Sequence, residues 1–218
     1  MEKTNKKNFY IALCALLAFV FWTVAVKFID VKAIGPYKTE VGFATFNGFV
    51  HTLTGVNMTF YNITDWLGIV PLVFAIGFGI LGLVQLIKRK SLLKVDSSII
   101  ILGALYIVVI VIYILFEEIV INYRPILING CLEVSYPSST TILTMCIMLT
   151  SAMQLKTRIK SEKLARAVTL IIVVFVLFMV LGRIISGVHW ITDIIGGALF
   201  SAAMVKLYST VVNFWQYE

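Results

Sequence analysis

The stretch Gly182-Arg-Ile-Ile-Ser-Gly-Val-His-Trp-Ile-Thr-Asp193 carries an arginine, a histidine and an aspartate across the join between two long apolar runs, Arg166 to Ile185 and His189 to Val212. Each run has the length, about 20 residues, that a helix needs to cross about 30 Å of hydrocarbon. Two such runs in succession read as a helical hairpin in lipid, with Ser186-Gly187 permitting the reversal. Arg183 and His189 are then expected to face one another. His189 and Asp193 share one helix face, so the carboxylate can accept a hydrogen bond from one imidazole nitrogen and leave the other free to attack.

The composition of the whole chain agrees. Of 218 residues, 60% are apolar and 13% charged, whereas a soluble domain has about 45–50% and about 25%. These proportions exclude a soluble enzyme, a disordered chain and a disulfide-stapled secreted module. Six runs are long enough to span: Phe9 to Ile29, Trp66 to Ile87, Ser98 to Phe116, Pro137 to Leu155, and the two already given. A helix apolar on every side has almost no amphipathic period, so length and flanks decide. The fold class is all-α, an integral membrane bundle of six transmembrane helices in a single domain, 1–218. The first run reads as an anchor rather than a cleaved signal, being long and lacking a small-residue cleavage pattern. Cys14, Cys131 and Cys146 have no metal-binding spacing, and only Cys131 is expected outside the bilayer.

The net charge of +7 comes from 18 Lys and Arg that are banded between the apolar runs. Banding is the footprint of topology and argues against nucleic acid as a partner. Twelve of the 18 fall at the N-terminus (Lys3, Lys6, Lys7), after the second run (Lys88, Arg89, Lys90, Lys94) and after the fourth (Lys156, Arg158, Lys160, Lys163, Arg166). Basic loops stay inside, so both N- and C-termini are expected to be cytoplasmic. Trp66 and Trp190 are then placed at the outer interface, and Tyr10, Trp215 and Tyr217 at the inner one. The outer segment 30–65, with glycines among apolar residues, reads as a short interfacial helix with turns lying on the membrane. Membrane lipids surround the chain, and isoleucine- and lysine-rich runs with short loops suggest a bacterial cytoplasmic membrane.

Ionisable residues are costly in lipid and tend to face a cavity and to work. Arg124-Pro125 follows the third run, Ser135-Tyr-Pro-Ser-Ser-Thr140 opens the fourth, Arg183 closes the fifth, and His189 with Asp193 opens the sixth. All are expected at the outer edge, converging on one pocket. A lone His–Asp pair is as often a satisfied polar pair, and a lone arginine as often snorkels; the coincidence of four groups points to a site. Pro137 is read as lying in the first turn of its helix, with free backbone N–H groups and the hydroxyls of Ser138 and Ser139 pointing outward as an anion cradle. Two guanidiniums beside a helix N-terminus suit phosphate, since arginine binds its oxygens bidentately and stays charged. Convergent ligands are too few for zinc or magnesium, so no metal and no cofactor is expected.

This pattern resembles the type 2 phosphatidic acid phosphatase superfamily, membrane relatives of vanadium haloperoxidases. The family's third signature reads Ser-Arg, five residues, His, three residues, Asp, and residues 182–193 reproduce it with Gly182 in place of the serine. The first signature is Lys, six residues, Arg-Pro; Arg124-Pro125 fits, with Glu117 at the lysine position. The second is Pro-Ser-Gly-His; Pro137-Ser138 fits, with Ser139 and Thr140 following. The resemblance implies metal-independent phosphoryl transfer through a phosphohistidine. His189 would be the nucleophile and Asp193 its orienter, with Arg124, Ser138 and Arg183 holding the phosphoryl oxygens alongside Ser139 and Thr140.

Thr140 cannot replace a histidine that protonates the leaving oxygen, and a general acid contributes about 10²–10⁴ in rate. That loss matters least for a lipid diphosphate, whose leaving group is a stabilised phosphate. A polyprenyl diphosphate is therefore favoured as substrate over phosphatidic acid or phosphatidylglycerol phosphate. Glu117, two helical turns before Arg124, would brace it by an ion pair, or Glu118 would do so on another face. His51, on the outer side, is a candidate for the missing acid. The expected function is an extracytoplasmic lipid phosphatase or diphosphatase. The alternative is a weakened relative that binds or carries a phosphorylated lipid without turnover.

Overall fold

The computed structural model describes residues 2–215; the chain ends expected to be cytoplasmic, including Tyr217, lie outside the described residues. Eight α-helices are formed: α1 Glu2–Phe28, α2 Ala44–Thr54, α3 Met58–Leu67, α4 Ile69–Arg89, α5 Ser97–Glu118, α6 Ser139–Arg158, α7 Glu162–Ser186 and α8 Ile191–Trp215. Among the described residues there are isolated β-bridges but no strands.

Among the described residues, five stretches are long and apolar enough to cross a membrane: Lys6–Phe28, Met58–Arg89, Ser97–Glu118, Glu162–Ser186 and Ile191–Trp215. The chain is a multi-pass membrane protein. The remaining expected span falls on α6, which has 20 residues but carries Thr141, Thr144, Thr150, Ser151 and Gln154, all buried. Its polarity follows from its place. It packs against α4, α5, α7 and α8, so protein rather than lipid covers it. Part of this polarity is satisfied inside: Thr150 donates to the Cys146 carbonyl at 2.6 Å, and Gln154 bonds Tyr208.

The core lies where α8 meets α1, α5 and α6. Phe19, Phe200, Tyr136, Ile142 and Met204 are buried there together, and the Phe19 and Phe200 rings lie 5.3 Å apart. Lipid-facing positions are apolar as well, as on Phe21, Leu83 and Leu170, which is why periodicity was uninformative.

The two ends of the bundle are tied differently. At one end Asp96 accepts from Gln85 at 2.8 Å and Arg89 at 2.9 Å and pairs with Arg158 at 3.5 Å, joining the ends of α4 and α6 to the start of α5. The basic loops cluster here. The other end carries the segments 29–68, 119–138 and 187–190. The outer segment contains two helices, α2 and α3, rather than one, and α3 runs into α4 at Gly68, so the second apolar stretch starts at Met58 instead of Trp66. Asn57 caps α3, accepting from the Thr59 and Phe60 amides at 3.1 and 3.2 Å.

Candidate active site

The turn between α7 and α8 places the histidine. Gly187 sits at φ +64°, a left-handed conformation that glycine adopts without a Cβ clash. A Cβ there would also lie 1.8 Å from the Gly55 carbonyl oxygen. The outer segment clasps this turn from outside: the Asn57 amide donates to Ser186 at 3.0 Å. His51 Nε2 lies 3.2 Å from the Gly187 carbonyl, an acceptor only, so that nitrogen carries a proton and donates it. The His51 ring packs on Trp190 with centroids 5.5 Å apart, and His51 and His189 border one small cavity.

His189 is buried, 5% exposed. Arg124 Nη1 lies 3.3 Å from its Nε2. A guanidinium only donates, so Nε2 is the bare nitrogen and the proton sits on Nδ1. Nδ1 faces Asp193 Oδ2 at 3.7 Å, beyond hydrogen-bond length; the expected direct bond is replaced by a looser contact. Asp193 is engaged elsewhere, accepting from the Trp190 amide at 3.0 Å and from Asn122 Nδ2 at 3.2 Å. Those two bonds fix the carboxylate at the start of α8, because a first-turn acid caps the free amides of its own helix.

Arg124 is braced by Glu133, not by Glu117 or Glu118: its Nε lies 3.0 Å from Glu133 Oε2. The helical spacing assumed between Glu117 and Arg124 does not exist, because α5 ends at Glu118. The chain then doubles back through bridges pairing Tyr123 with Val134 and Ile128 with Cys131, which sets Glu133 beside Arg124. Glu117 instead borders a narrow cleft between α5 and α6, together with Tyr113, Ser135, Ser139 and His189.

Arg183, with 2% of its side chain exposed, donates through Nη2 to Asp65 Oδ1 at 3.1 Å and to Thr140 Oγ1 at 2.5 Å. Its guanidinium also lies 5.1 Å from the centre of the Tyr61 ring. Nε and Nη1 are buried with no hydrogen-bond partner among the described residues. Thr140, at the family's histidine position, thus holds an arginine.

Ser138 does not point outward. It is the buried N-cap of α6, accepting from Thr141 Oγ1 at 3.0 Å and from the Thr141 amide at 3.5 Å, while its own amide donates to the Asp193 carbonyl at 3.1 Å. The cap falls on Ser138 because serine accepts from the first-turn amides, so Pro137 precedes the helix instead of lying in its first turn. Ser139 alone of the two borders the cleft. Trp190, expected at the interface, is buried, its indole donating to the Tyr123 carbonyl at 2.8 Å. Sequence reasoning missed Asp65, Asn122 and Glu133. Asn122 and Glu133 each lie within ten residues of Arg124 and were legible as polar residues in a lipid-rich chain; nothing local marks Asp65.

Gly182 explains one departure from the family pattern. A Cβ there would lie 2.6 Å from Thr64 Cγ2, so the missing side chain lets α3 approach α7 and brings Asp65 to Arg183. Gly182→Ser is therefore expected to destabilise the protein by about 1–3 kcal/mol through overpacking, read as a lowered unfolding temperature. Adding Thr64→Ser, which removes the clashing methyl, should recover most of the loss; additive effects would contradict this contact.

Burial, then the charges of Arg124 and Arg183, hold the His189 pKa well below the usual 6.5. His189 lies in the turn outside both spans. Protonation removes its lone pair, so the neutral form persists to more acid pH than an ordinary imidazole. With the substrate's own ionisation divided out, kcat/KM should stay level through about pH 6.5 and fall only below it. An acid limb centred at or above that value would contradict the assignment.

These elements, α5 to α8 and the turns between them, are the part of the chain that a known family describes: residues 97–217 match the model of the PAP2 superfamily. The chain belongs to the PAP2 superfamily. Its backbone is also similar to the crystal structure of a transmembrane PAP2-type phosphatidylglycerolphosphate phosphatase from Bacillus subtilis, with a TM-score of 0.64 and 16% sequence identity over 96% of this chain and 98% of that one. A search of curated proteins finds no significant match. The PAP2 match takes in all three signatures with their departures, and helices α1 to α4, which supply Asp65 and His51, lie before it.

Proposed function

We propose that the protein is an integral-membrane lipid phosphatase or diphosphatase in which His189 is the nucleophile. The observation that carries this reading is the bare Nε2 of His189 held beside Arg124. Membership of the PAP2 superfamily supports the lipid phosphate as substrate. In the reaction Nε2 attacks phosphorus, the N–P bond forms, and the P–O bond to the lipid breaks. Water then attacks the phosphohistidine, releasing inorganic phosphate and restoring the imidazole. Arg124 and Arg183 stabilise charge on the equatorial oxygens, which is the main demand of a loose phosphoryl transition state. Asp193 keeps the Nδ1 tautomer from behind, held in turn by Asn122.

No titrating group stands at the Thr140 position, so a substrate whose leaving group needs no proton is favoured. A polyprenyl diphosphate meets that condition. Phosphatidylglycerol phosphate, the substrate in the name of the Bacillus protein, and phosphatidic acid complete the panel. The orientation proposed is six spans, both termini cytoplasmic and the site on the outer face of the cell membrane, supported by the separation of the basic loops from the site. Cys131 is exposed in the 119–138 segment and Cys146 is buried. An impermeant thiol reagent should therefore label Cys131 in intact cells more readily than Cys14 or Cys146. Labelling of Cys131 only after lysis would place the site inside.

A second reading has its own support. Both arginines are already paired with carboxylates, at 3.0 Å for Arg124–Glu133 and 3.1 Å for Arg183–Asp65, which favours a relative that binds phosphorylated lipid without turnover. Phosphate release by the purified protein, tested on the three lipids with and without vanadate and a chelator, separates the two. Release that vanadate inhibits and the chelator leaves intact supports the phosphatase; lipid binding with no release supports the carrier.

A further inference from the structure

The cleft that ends on His189 has an unexpected lining for a phosphate site. One side is apolar, with Val109, Phe116, Ile142 and Leu143 from α5 and α6, and the hydroxyls of Ser135 and Ser139 share the lining. At its mouth stands the exposed carboxylate of Glu117, on the last turn of α5 beside Tyr113. Glu117 alone among the lining residues carries a fixed formal charge, and that charge is negative.

The remaining charges do not offset it. Arg124 is paired with Glu133 at 3.0 Å and Arg183 with Asp65 at 3.1 Å, so neither guanidinium has a full uncompensated charge for the incoming phosphoryl group. A phosphomonoester brings a charge of about −1.5 to −2 at neutral pH. A further carboxylate bordering the same cleft opposes it. A headgroup hydroxyl would hydrogen-bond Glu117 and leave that repulsion in place. An ammonium group next to the phosphoryl group both donates to the carboxylate and cancels its charge.

We propose that Glu117 is a specificity-determining residue that selects lipid phosphates bearing a protonated amine beside the phosphoryl group, with the phosphorus at His189. This inference rests on the reading of the site as one that takes a phosphorylated lipid, and it deepens that reading by naming the headgroup class.

The test compares a long-chain β-aminoalkyl phosphate with the same chain lacking the amine. A charge-assisted hydrogen bond corresponds to about tenfold or more in binding, so the wild-type protein should prefer the amine in kcat/KM by about that factor. Glu117→Gln should collapse this selectivity ratio towards one, and Glu117→Lys should invert it. A wild-type ratio near one, or a ratio unmoved by Glu117→Gln, overturns the proposal. The matched phosphonates, which cannot be hydrolysed, read the same ratio by binding titration and need no turnover. Equal binding of the two phosphonates overturns the proposal even in an active enzyme. An amine preference that Glu117→Gln abolishes, in protein that releases no phosphate, sustains it and defeats the phosphatase reading instead.

Discussion

His189→Ala is expected to lower phosphate release by about 10⁴-fold or more, the scale on which loss of a covalent nucleophile is felt when nothing nearby takes its place. No substitute stands at hand. His51 donates its Nε2 proton to the Gly187 carbonyl and supports the turn from behind. Asp193 is buried and committed to the Trp190 amide and Asn122. The substitution removes a buried side chain, so the comparison needs a thermal unfolding measurement beside it; His189→Asn, closer in volume and still polar, should be equally inactive. Retention of a tenth of the wild-type activity in a folded variant would move the nucleophile elsewhere.

Arg124→Lys and Arg183→Lys are each expected to lower kcat by about 10²–10³-fold although the charge is kept, the range seen when one preorganised donor to a developing oxyanion is lost. Lysine offers a compact point charge and cannot present a planar fork. At Arg183 the geometry makes the point directly. Nη2 is occupied by Asp65 and Thr140, and the two buried nitrogens without a protein partner, Nε and Nη1, are the donors available to phosphoryl oxygens. A lysine at this position would satisfy Asp65 and leave nothing for phosphate. At Arg124 the same change also removes the donor that keeps Nε2 of His189 bare. The effect should therefore appear chiefly in kcat, with KM changing less. A lysine variant of either residue with near-normal kcat would show that charge alone suffices.

The fold was legible where lipid imposes a single demand. Long apolar runs marked α1, α4, α5, α7 and α8 because their outer faces meet hydrocarbon, and the spacing of Arg183, His189 and Asp193 marked the site because charged groups are rare in such a chain. What stayed hidden was set by tertiary packing. The pairing of Arg183 with Asp65 depends on α3 closing onto α7 over Gly182, a contact between residues 118 apart in sequence. The partner of Arg124 is not legible from helical spacing, because the chain leaves the helix after Glu118 and returns through a pair of bridges. A serine at a helix start has two uses, anion ligand or cap, and Ser138 caps its own helix inside the protein. The polarity of α6 likewise reports its burial among other helices and not exposure to water.

Two of the departures from the family signatures are connected in space. Gly182 admits α3, Asp65 on α3 holds Arg183, and Thr140 accepts from the same nitrogen of that arginine. Two positions that look like independent losses in sequence, Gly182 and Thr140, thus act on one guanidinium.

If His189 is the nucleophile, phosphorus becomes bonded to its Nε2 during turnover. Purified protein mixed with a phosphorus-32-labelled lipid phosphate or diphosphate, quenched within a turnover and digested under alkaline conditions that preserve phosphohistidine, tests it most directly. Label is expected on the peptide containing His189, lost on acid treatment and absent from His189→Ala. Label retained by that variant, or steady phosphate release by the wild type with no labelled histidine at any quench time, would contradict it.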